Sequence, residues 1–178
     1  EEKLAFLDEH YLSHFDYLDV DSVIQEQKAF GACQDVTLEY PVAENEGEED
    51  NTYLSYNMVV GQAKDINLSL AFEVLDYALL SAPGAPLKQA LLDPKIGNDI
   101  YGSFEDGIKQ TYFSIVAKGA NLSQKEEFVK VIRDTLTKIA EEGIDKKAVK
   151  AGINYYEFRF READFSSYPK GLMYGLDI

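Results

Sequence analysis

The feature that most constrains the fold is the order in which two hydrophobic periodicities occur along the chain. The stretch "TYLSYNMVVG", residues 52–61, places four apolar side chains on one face at a spacing of two: Leu54, Tyr56, Met58 and Val60. This spacing predicts a half-buried strand. In the last third of the chain, apolar residues recur at steps of three and four, which predicts amphipathic helices. Because strands and helices fall into separate blocks, we predict an α+β domain in which helices pack on one face of an antiparallel sheet.

Two further regions predict the other strands of this sheet. The segment "DVTLEYPV", residues 35–42, has the composition of a strand and precedes an acidic, glycine-containing loop. The segments "IGNDIYGSFEDG" and "KQTYFSIVAKGA" predict two strands joined by the turn "EDGIK", with Phe113 and Ile115 facing the same way. We therefore expect a hairpin over residues 96–120.

The first half of the chain predicts three helices. Residues 3–18 carry apolar side chains at helical spacing: Leu4, Leu7, Tyr11, Phe15 and Leu18. Asp65 is a suitable N-cap for "INLSLAFEVLDYALLS", whose buried stripe is predicted to run through Leu68, Phe72, Leu75 and Leu79. A short helix is expected within "APGAPLKQALLDPK".

The last third predicts two longer helices with clear boundaries. Ser123 and Glu126 have the spacing of a capping box, and Gly143 is placed to end the helix that follows. Asp145 is a candidate cap for the next helix, for which we predict an apolar ridge of Val149, Ile153, Tyr156 and Phe160.

Composition excludes several classes of protein. The 178 residues suffice for one globular domain, and the longest apolar stretches are well short of the ~20 residues that a membrane span needs. A single cysteine, Cys33, cannot form an internal disulfide, which favours a reducing compartment, so we expect a cytoplasmic protein. The net charge of -15 disfavours nucleic acid and anionic membranes as partners. An acidic surface also serves solubility alone.

The two histidines lie in "DEHYLSHFDY" with the spacing that zinc peptidases use. A zincin carries its general-base Glu directly after the first His, and an inverted zincin carries it directly before the second. Those positions hold Tyr11 and Ser13, and the chain has no histidine besides His10 and His14. A metalloenzyme built on this pair is therefore the weakest of our hypotheses, and we predict that the chain has no metal site.

No other catalytic arrangement is visible in the sequence. Cys33 and the serines have no further histidine to activate them, and the glycines do not have the spacing of a phosphate-binding loop. The chain by itself is predicted to be inactive.

Several segments, taken in order, are similar to one known family. They are "FLDEHYLSHFD", "NTYLSYNMVVG", "PGAPLKQALLD", "DIYGSFEDGIKQTYFSIVAKGA" and the helix pair that contains "EEGIDKKAVKAGINYYEFRFRE". Together they resemble the pitrilysin/insulinase-type inverted zinc metallopeptidases, and more closely their presequence-protease branch. The resemblance covers nearly the whole chain.

The resemblance implies a division of the chain and a role for it. Residues 1–35 would be the tail of a preceding catalytic domain with the linker, and residues 36–178 a non-catalytic domain that forms part of the wall of a closed peptide chamber. The zinc would belong to the parent enzyme, which would degrade oligopeptides. The partners would be the upstream catalytic domain and the C-terminal half of the same polypeptide, and the isolated chain could self-associate. A free-standing acidic interaction module remains the alternative.

The resemblance also implies one binding site. Members of the family anchor a peptide by adding it to the edge of a strand, and the matching residues here are Ile100, Tyr101, Gly102 and Ser103. Strand addition needs free backbone N–H and C=O groups, and glycine lets a second backbone come close. An ordinary strand before a turn is equally compatible with these residues.

Overall fold

A three-stranded antiparallel sheet forms the centre of the computed structural model, which describes residues 1–43, 47–162 and 167–176. The strands are β1 (Thr52–Val59), β2 (Asp99–Glu105) and β3 (Tyr112–Ala120). β3 is the middle strand and pairs with both neighbours, so the order is β1–β3–β2. The predicted strand at 52–61 and the predicted hairpin are confirmed.

The described α-helices follow in chain order. They are α1 (Glu2–His10), α2 (Ile66–Asp76), α3 (Pro86–Leu92), α4 (Lys125–Glu142), α5 (Lys146–Glu162) and α6 (Lys170–Leu176). α2 continues without interruption into a π-helical turn, Tyr77–Ser81, so the helix predicted after Asp65 has its expected length. Within the described ranges, no helix combines the length and the apolar character needed to cross a lipid bilayer.

The core lies between one face of the sheet and the helices α2, α3 and α4. Ile115 on the middle strand pairs with Tyr56 on one side and with Gly102 on the other, so the inward-facing positions of the three strands form rows across the sheet. The fully buried side chains from sheet and helices include Ile100, Ile115, Leu80, Leu87, Leu91, Phe128 and Ile132. The predicted α+β architecture, with helices on one face of an antiparallel sheet, is confirmed.

Three of the predicted helix boundaries are confirmed by their hydrogen bonds and backbone angles. The Asp65 side chain accepts from the Leu68 N–H at 3.0 Å, and the Asp145 side chain accepts from the Lys147 N–H at 2.9 Å. Gly143 ends α4 with a φ of 88°, a conformation that glycine adopts without a steric penalty.

The predicted capping box of Ser123 and Glu126 is wrong. The capping box lies two residues earlier, between Asn121 and Gln124, because a 3-10 turn at Leu122–Gln124 precedes α4. The Asn121 side chain also exchanges two hydrogen bonds with Asp50, at 3.0 and 2.7 Å. This second partner is distant in sequence, so no local pattern predicts it.

The helix predicted over residues 3–18 is shorter than expected. α1 ends at His10, Tyr11 leaves the helical region with a φ of -135°, and a separate 3-10 turn covers Leu12–His14. The apolar side chains of the predicted stripe are exposed to solvent, including Phe15 at 77%. Most of the stability of a helix in a protein comes from packing of its apolar face. The apolar face of this helix is exposed, so packing does not stabilise a longer helix.

The strand predicted at residues 35–42 is also wrong. The segment has no assigned strand structure, and Leu38 is 84% exposed. It meets the domain through side chains: Asp35 forms an ion pair with Lys125 at 2.5 Å, and the Tyr40 ring lies 5.8 Å from the Tyr53 ring. A strand requires a ladder of backbone hydrogen bonds, and composition alone does not supply one.

The packed face of α5 differs in part from the predicted ridge. Val149 and Tyr156 are partly buried as expected, whereas Ile153 and Phe160 are exposed. The buried residue of α5 is Gly152, where a Cβ would come within 3.2 Å of the Val74 carbonyl oxygen on α2. A small residue therefore sets this contact, because it lets the two helix backbones approach closely.

Candidate functional site

The predicted binding residues lie on an edge of the sheet. Ile100, Tyr101, Gly102 and Ser103 are consecutive residues of β2, which pairs with β3 on one side only. No strand among the described residues pairs with its other side. Tyr101 and Ser103 are exposed, whereas the Ile100 side chain is fully buried in the core. The structure thus brings the four predicted residues together on an edge strand.

The hydrogen bonds of the middle strand show which backbone groups face its two neighbours. The Val60 N–H donates to the Thr111 carbonyl oxygen at 3.0 Å, on the β1 side. On the other side, the Asn98 N–H donates to the Lys118 carbonyl oxygen at 2.7 Å. Because backbone groups of successive strand residues point in opposite directions, odd-numbered residues of β3 face β1 and even-numbered residues face β2.

The same alternation identifies the free backbone groups of β2. Tyr101 and Ser103 are paired with the even-numbered residues Val116 and Ser114 of β3. Their backbone groups are therefore used within the sheet, and those of Ile100 and Gly102 point to the open edge. An incoming extended chain would find its hydrogen-bonding partners at these two residues.

The outer face of the sheet carries exposed polar side chains on both outer strands. Tyr101 and Ser103 on β2 and Ser55 and Asn57 on β1 point away from the core and are exposed. The Asn57 side-chain oxygen accepts hydrogen bonds from Ser55 and from Ser114, at 3.0 and 2.5 Å. Hydroxyl and amide groups of this kind can hydrogen-bond a peptide without selecting one sequence.

The helix α2 packs against Gly102 on the inner face of the sheet. A Cβ at this position would overlap the Asp76 carboxylate and come within 2.6 Å of the Leu80 Cδ1 atom. Asp76 Oδ2 accepts a hydrogen bond from the Ser81 hydroxyl at 3.1 Å, while Oδ1 is buried without a partner among the described residues. Burial raises the pKa of Asp76, and the Ser81 hydrogen bond acts in the opposite direction.

The sequence reasoning missed Asp76 and its neighbour Glu73. A signal was present: these are the only charged residues within "INLSLAFEVLD", the otherwise apolar segment that forms α2. Charges in such a helix, three positions apart, are expected to share one face.

The two histidines lie in different elements and do not share one helical face. His10 is the last residue of α1 and His14 belongs to the following 3-10 turn, so the break at Tyr11 removes them from a common helical face. Both are exposed, and the His10 ring lies 4.3 Å from the Phe6 ring. Within the described part of the chain, no group of three or more His, Cys, Asp or Glu residues could hold a metal ion.

One family model and several known proteins are similar to this chain. A family model described as the peptidase M16 inactive domain matches residues 2–156. Protein HypA of Clostridium perfringens is 44% identical over the whole chain, and presequence protease 1, chloroplastic/mitochondrial, of Arabidopsis thaliana is 33% identical over 85% of it. The chain spans only 18% and 14% of the length of these two curated relatives.

A solved structure has the same fold. It is the inactive peptidase domain of a protein described as a zinc protease from Bordetella parapertussis, with a TM-score of 0.58 and 11% sequence identity. The match covers 68% of this chain and 66% of that chain. At this identity the similarity concerns the fold alone.

Proposed function

The chain belongs to the peptidase M16 family as a non-catalytic, inactive domain, and from this we propose that it forms part of the substrate-chamber wall of a zinc-dependent metallopeptidase that degrades oligopeptides. In this proposal the zinc site is supplied by another part of the same polypeptide. Residues 1–35 form the tail of the preceding catalytic domain, and residues 36–178 form the chamber-forming domain.

The open edge of β2 is the observation that carries the proposal. The backbone groups of Ile100 and Gly102 are directed away from β3, towards an edge that no strand among the described residues occupies. A peptide added to this edge would be held by main-chain hydrogen bonds, which do not depend on its sequence. Such binding suits a protein that handles many different peptides.

The first 43 residues support the proposed partners. Large apolar side chains there are exposed, among them Leu4, Phe15, Leu18 and Leu38. An interface built for a permanent neighbour resembles a core that has been cut in half. We assign this surface to the preceding catalytic domain and to the C-terminal half of the same polypeptide.

The decisive experiment places a single N-methyl group at successive positions along a bound peptide. Fluorescence anisotropy would measure the affinity of the unchanged protein for an extended peptide of about nine residues, roughly the length of a strand. If the peptide adds to β2, N-methylation should weaken binding at every second residue, because only alternate N–H groups of an added strand face its neighbour.

The outcomes of this experiment are distinct. Strong loss at alternate positions supports strand addition. An equal loss at every position, or no loss at any position, would contradict it. A scrambled peptide of the same composition is the matched control, and it should bind with similar affinity because the main chain provides the contacts.

A further inference from the structure

The contact between α2 and α5 is close and is built from small and aromatic residues. Gly152 of α5 lies against the Val74 carbonyl oxygen and the Tyr77 ring of α2 and its π-helical extension. The Tyr77 and Tyr155 rings stack with centroids 5.0 Å apart. This packing brings the polar part of α5 over the two acidic residues of α2.

Two carboxyl groups lie in this interface without sufficient partners. Glu73 and Asp76 are three positions apart on α2, and each has one oxygen, Oε2 and Oδ1 respectively, that is buried and lacks a hydrogen bond in the described part of the chain. An ionised carboxylate in such a place bears a desolvation cost that no ion pair offsets. A protonated carboxyl avoids most of that cost and gains a hydroxyl donor.

The charged and titratable groups around the pair provide little compensation. From α5, the Arg159 guanidinium carbon lies 5.8 Å from the centroids of both the Tyr155 and the Tyr156 rings. From the turn after β2, Asp106 adds a further negative charge. The inward-facing residues of β2 next to the pair are uncharged. Among the described residues, Arg159 is the cation that acts on Glu73, and the negative charge of Asp106 opposes it.

The pKa shifts of Glu73 and Tyr156 follow from that arrangement. Burial raises the pKa of Glu73, and the charge of Asp106 raises it further, while Arg159 lowers it. Burial and the charges of Glu73 and Asp76 raise the pKa of Tyr156 to about 12, so its hydroxyl remains protonated at neutral pH. Tyr156 is thus a neutral neighbour.

We propose that the packing of α5 against α2 is controlled by protonation of Glu73 and Asp76. The two helices pack stably while both carboxyls carry protons, and less stably once the carboxyls ionise. The pKa values of both carboxyls are raised in the folded state, so the bound protons stabilise the packed arrangement. This stabilisation is fully present below the ordinary carboxyl pKa and is lost as the pH rises through the raised values.

Amide hydrogen exchange can locate the effect, with α4 as a reference inside the same molecule. Protection factors of α5 amides, compared with those of α4, should fall by about tenfold between about pH 4, near the ordinary carboxyl pKa, and about pH 7.5. The double variant Glu73→Gln/Asp76→Asn mimics the protonated pair and should keep α5 protected at both pH values. The control Asp134→Asn/Glu141→Gln, which removes two exposed carboxylates of α4, should behave like the unchanged protein.

Two results would overturn the proposal. One is an unchanged ratio of α5 to α4 protection across the pH range in the unchanged protein, which needs no variant to fold. The other is a fall of the same size in the Glu73→Gln/Asp76→Asn variant. The double variant also reduces the net negative charge of -15. A general effect of that charge would change amide protection in both helices, so it would leave the ratio of α5 to α4 protection unchanged.

Discussion

The Asp76 carboxylate lies against Gly102, in the space that any larger side chain at that position would occupy. The helix α2 therefore rests directly on the edge strand β2 at Gly102, a residue of the proposed peptide-binding edge. Gly102 admits the helix on the inner side of the strand, while its backbone N–H and C=O groups remain directed to the open edge.

Replacing Gly102 by Ala should destabilise the domain by roughly 1–3 kcal/mol, because the new methyl group overpacks the contact with Asp76 and Leu80. Urea unfolding followed by circular dichroism measures this. Gly171→Ala is the matched control: Gly171 lies in α6 with open space around it, so alanine there should be neutral or stabilise by up to ~1 kcal/mol. Equal stabilities for the two variants would mean that the close contact at Gly102 is absent.

Thr111, at the end of the hairpin turn, offers the opposite kind of test. Its side chain is 1% exposed, and its hydroxyl has no hydrogen-bond partner among the described residues. Thr111→Val replaces the hydroxyl by a methyl group of similar size and should stabilise the domain by about 1 kcal/mol. Thr137→Val on the exposed face of α4 should change stability by less than ~0.5 kcal/mol. A loss of stability in the first variant would indicate that the hydroxyl does have a partner.

Local signals in the sequence predicted those parts of the fold that local interactions determine. The strand through Leu54 and the helix ends at Asp65, Gly143 and Asp145 depend on side-chain alternation, on a capping oxygen or on a glycine conformation, and all can be recognised within a few residues. Each of these predictions is confirmed.

The errors have a different physical origin. α1 stops at His10, and residues 35–42 form no strand, because helix length and strand pairing depend on neighbours that local periodicity does not report. The candidate site was predictable only in part for the same reason. The resemblance predicted Ile100 to Ser103, but the contact of Gly102 with Asp76 joins residues of different elements. No local pattern encodes that contact.

The corrected capping box gives a clean comparison between two candidate caps. Asn121→Ala removes the cap of the 3-10 turn before α4 and both hydrogen bonds to Asp50, and should cost about 1–2 kcal/mol of unfolding free energy. Ser123→Ala should cost less than ~0.5 kcal/mol, since Ser123 is exposed within the turn and does not cap it. Thermal unfolding of the two variants compares them directly, and a larger loss for Ser123→Ala would restore the original prediction.

The exposed apolar residues near the N-terminus should make the isolated chain self-associate. Light scattering should give a mass above the 20.0 kDa of one chain, rising with concentration. The variant Leu7→Gln/Phe15→Gln/Leu18→Gln should move the protein towards the monomer, because it removes apolar surface from this region. Leu122→Gln, which changes an exposed leucine elsewhere, is the control and should leave the mass unchanged. A strict monomer at all concentrations would argue against an interface in this region.

The net charge of -15 should control how fast peptides reach the β2 edge. An acidic surface attracts a basic peptide over a distance that salt shortens, so the association rate constant should fall by about tenfold between about 20 and about 200 mM salt. A neutral peptide of equal length should change by less than about twofold. Stopped-flow fluorescence anisotropy with the two peptides measures both constants.

A pair of charge variants tests whether the attraction is centred on the proposed site. Asp106 directly follows β2, whereas Asp134 is exposed on α4, which contacts β1 and α3. Asp106→Asn should slow capture of the basic peptide more than Asp134→Asn does, by roughly twofold at about 100 mM salt, because a charge at that ionic strength acts mainly within ~10 Å. Both variants remove one negative charge, so a difference between them reports position and not net charge. If the two variants slow the basic peptide equally, its capture is governed by overall charge, and binding at the β2 edge would lose this kinetic support.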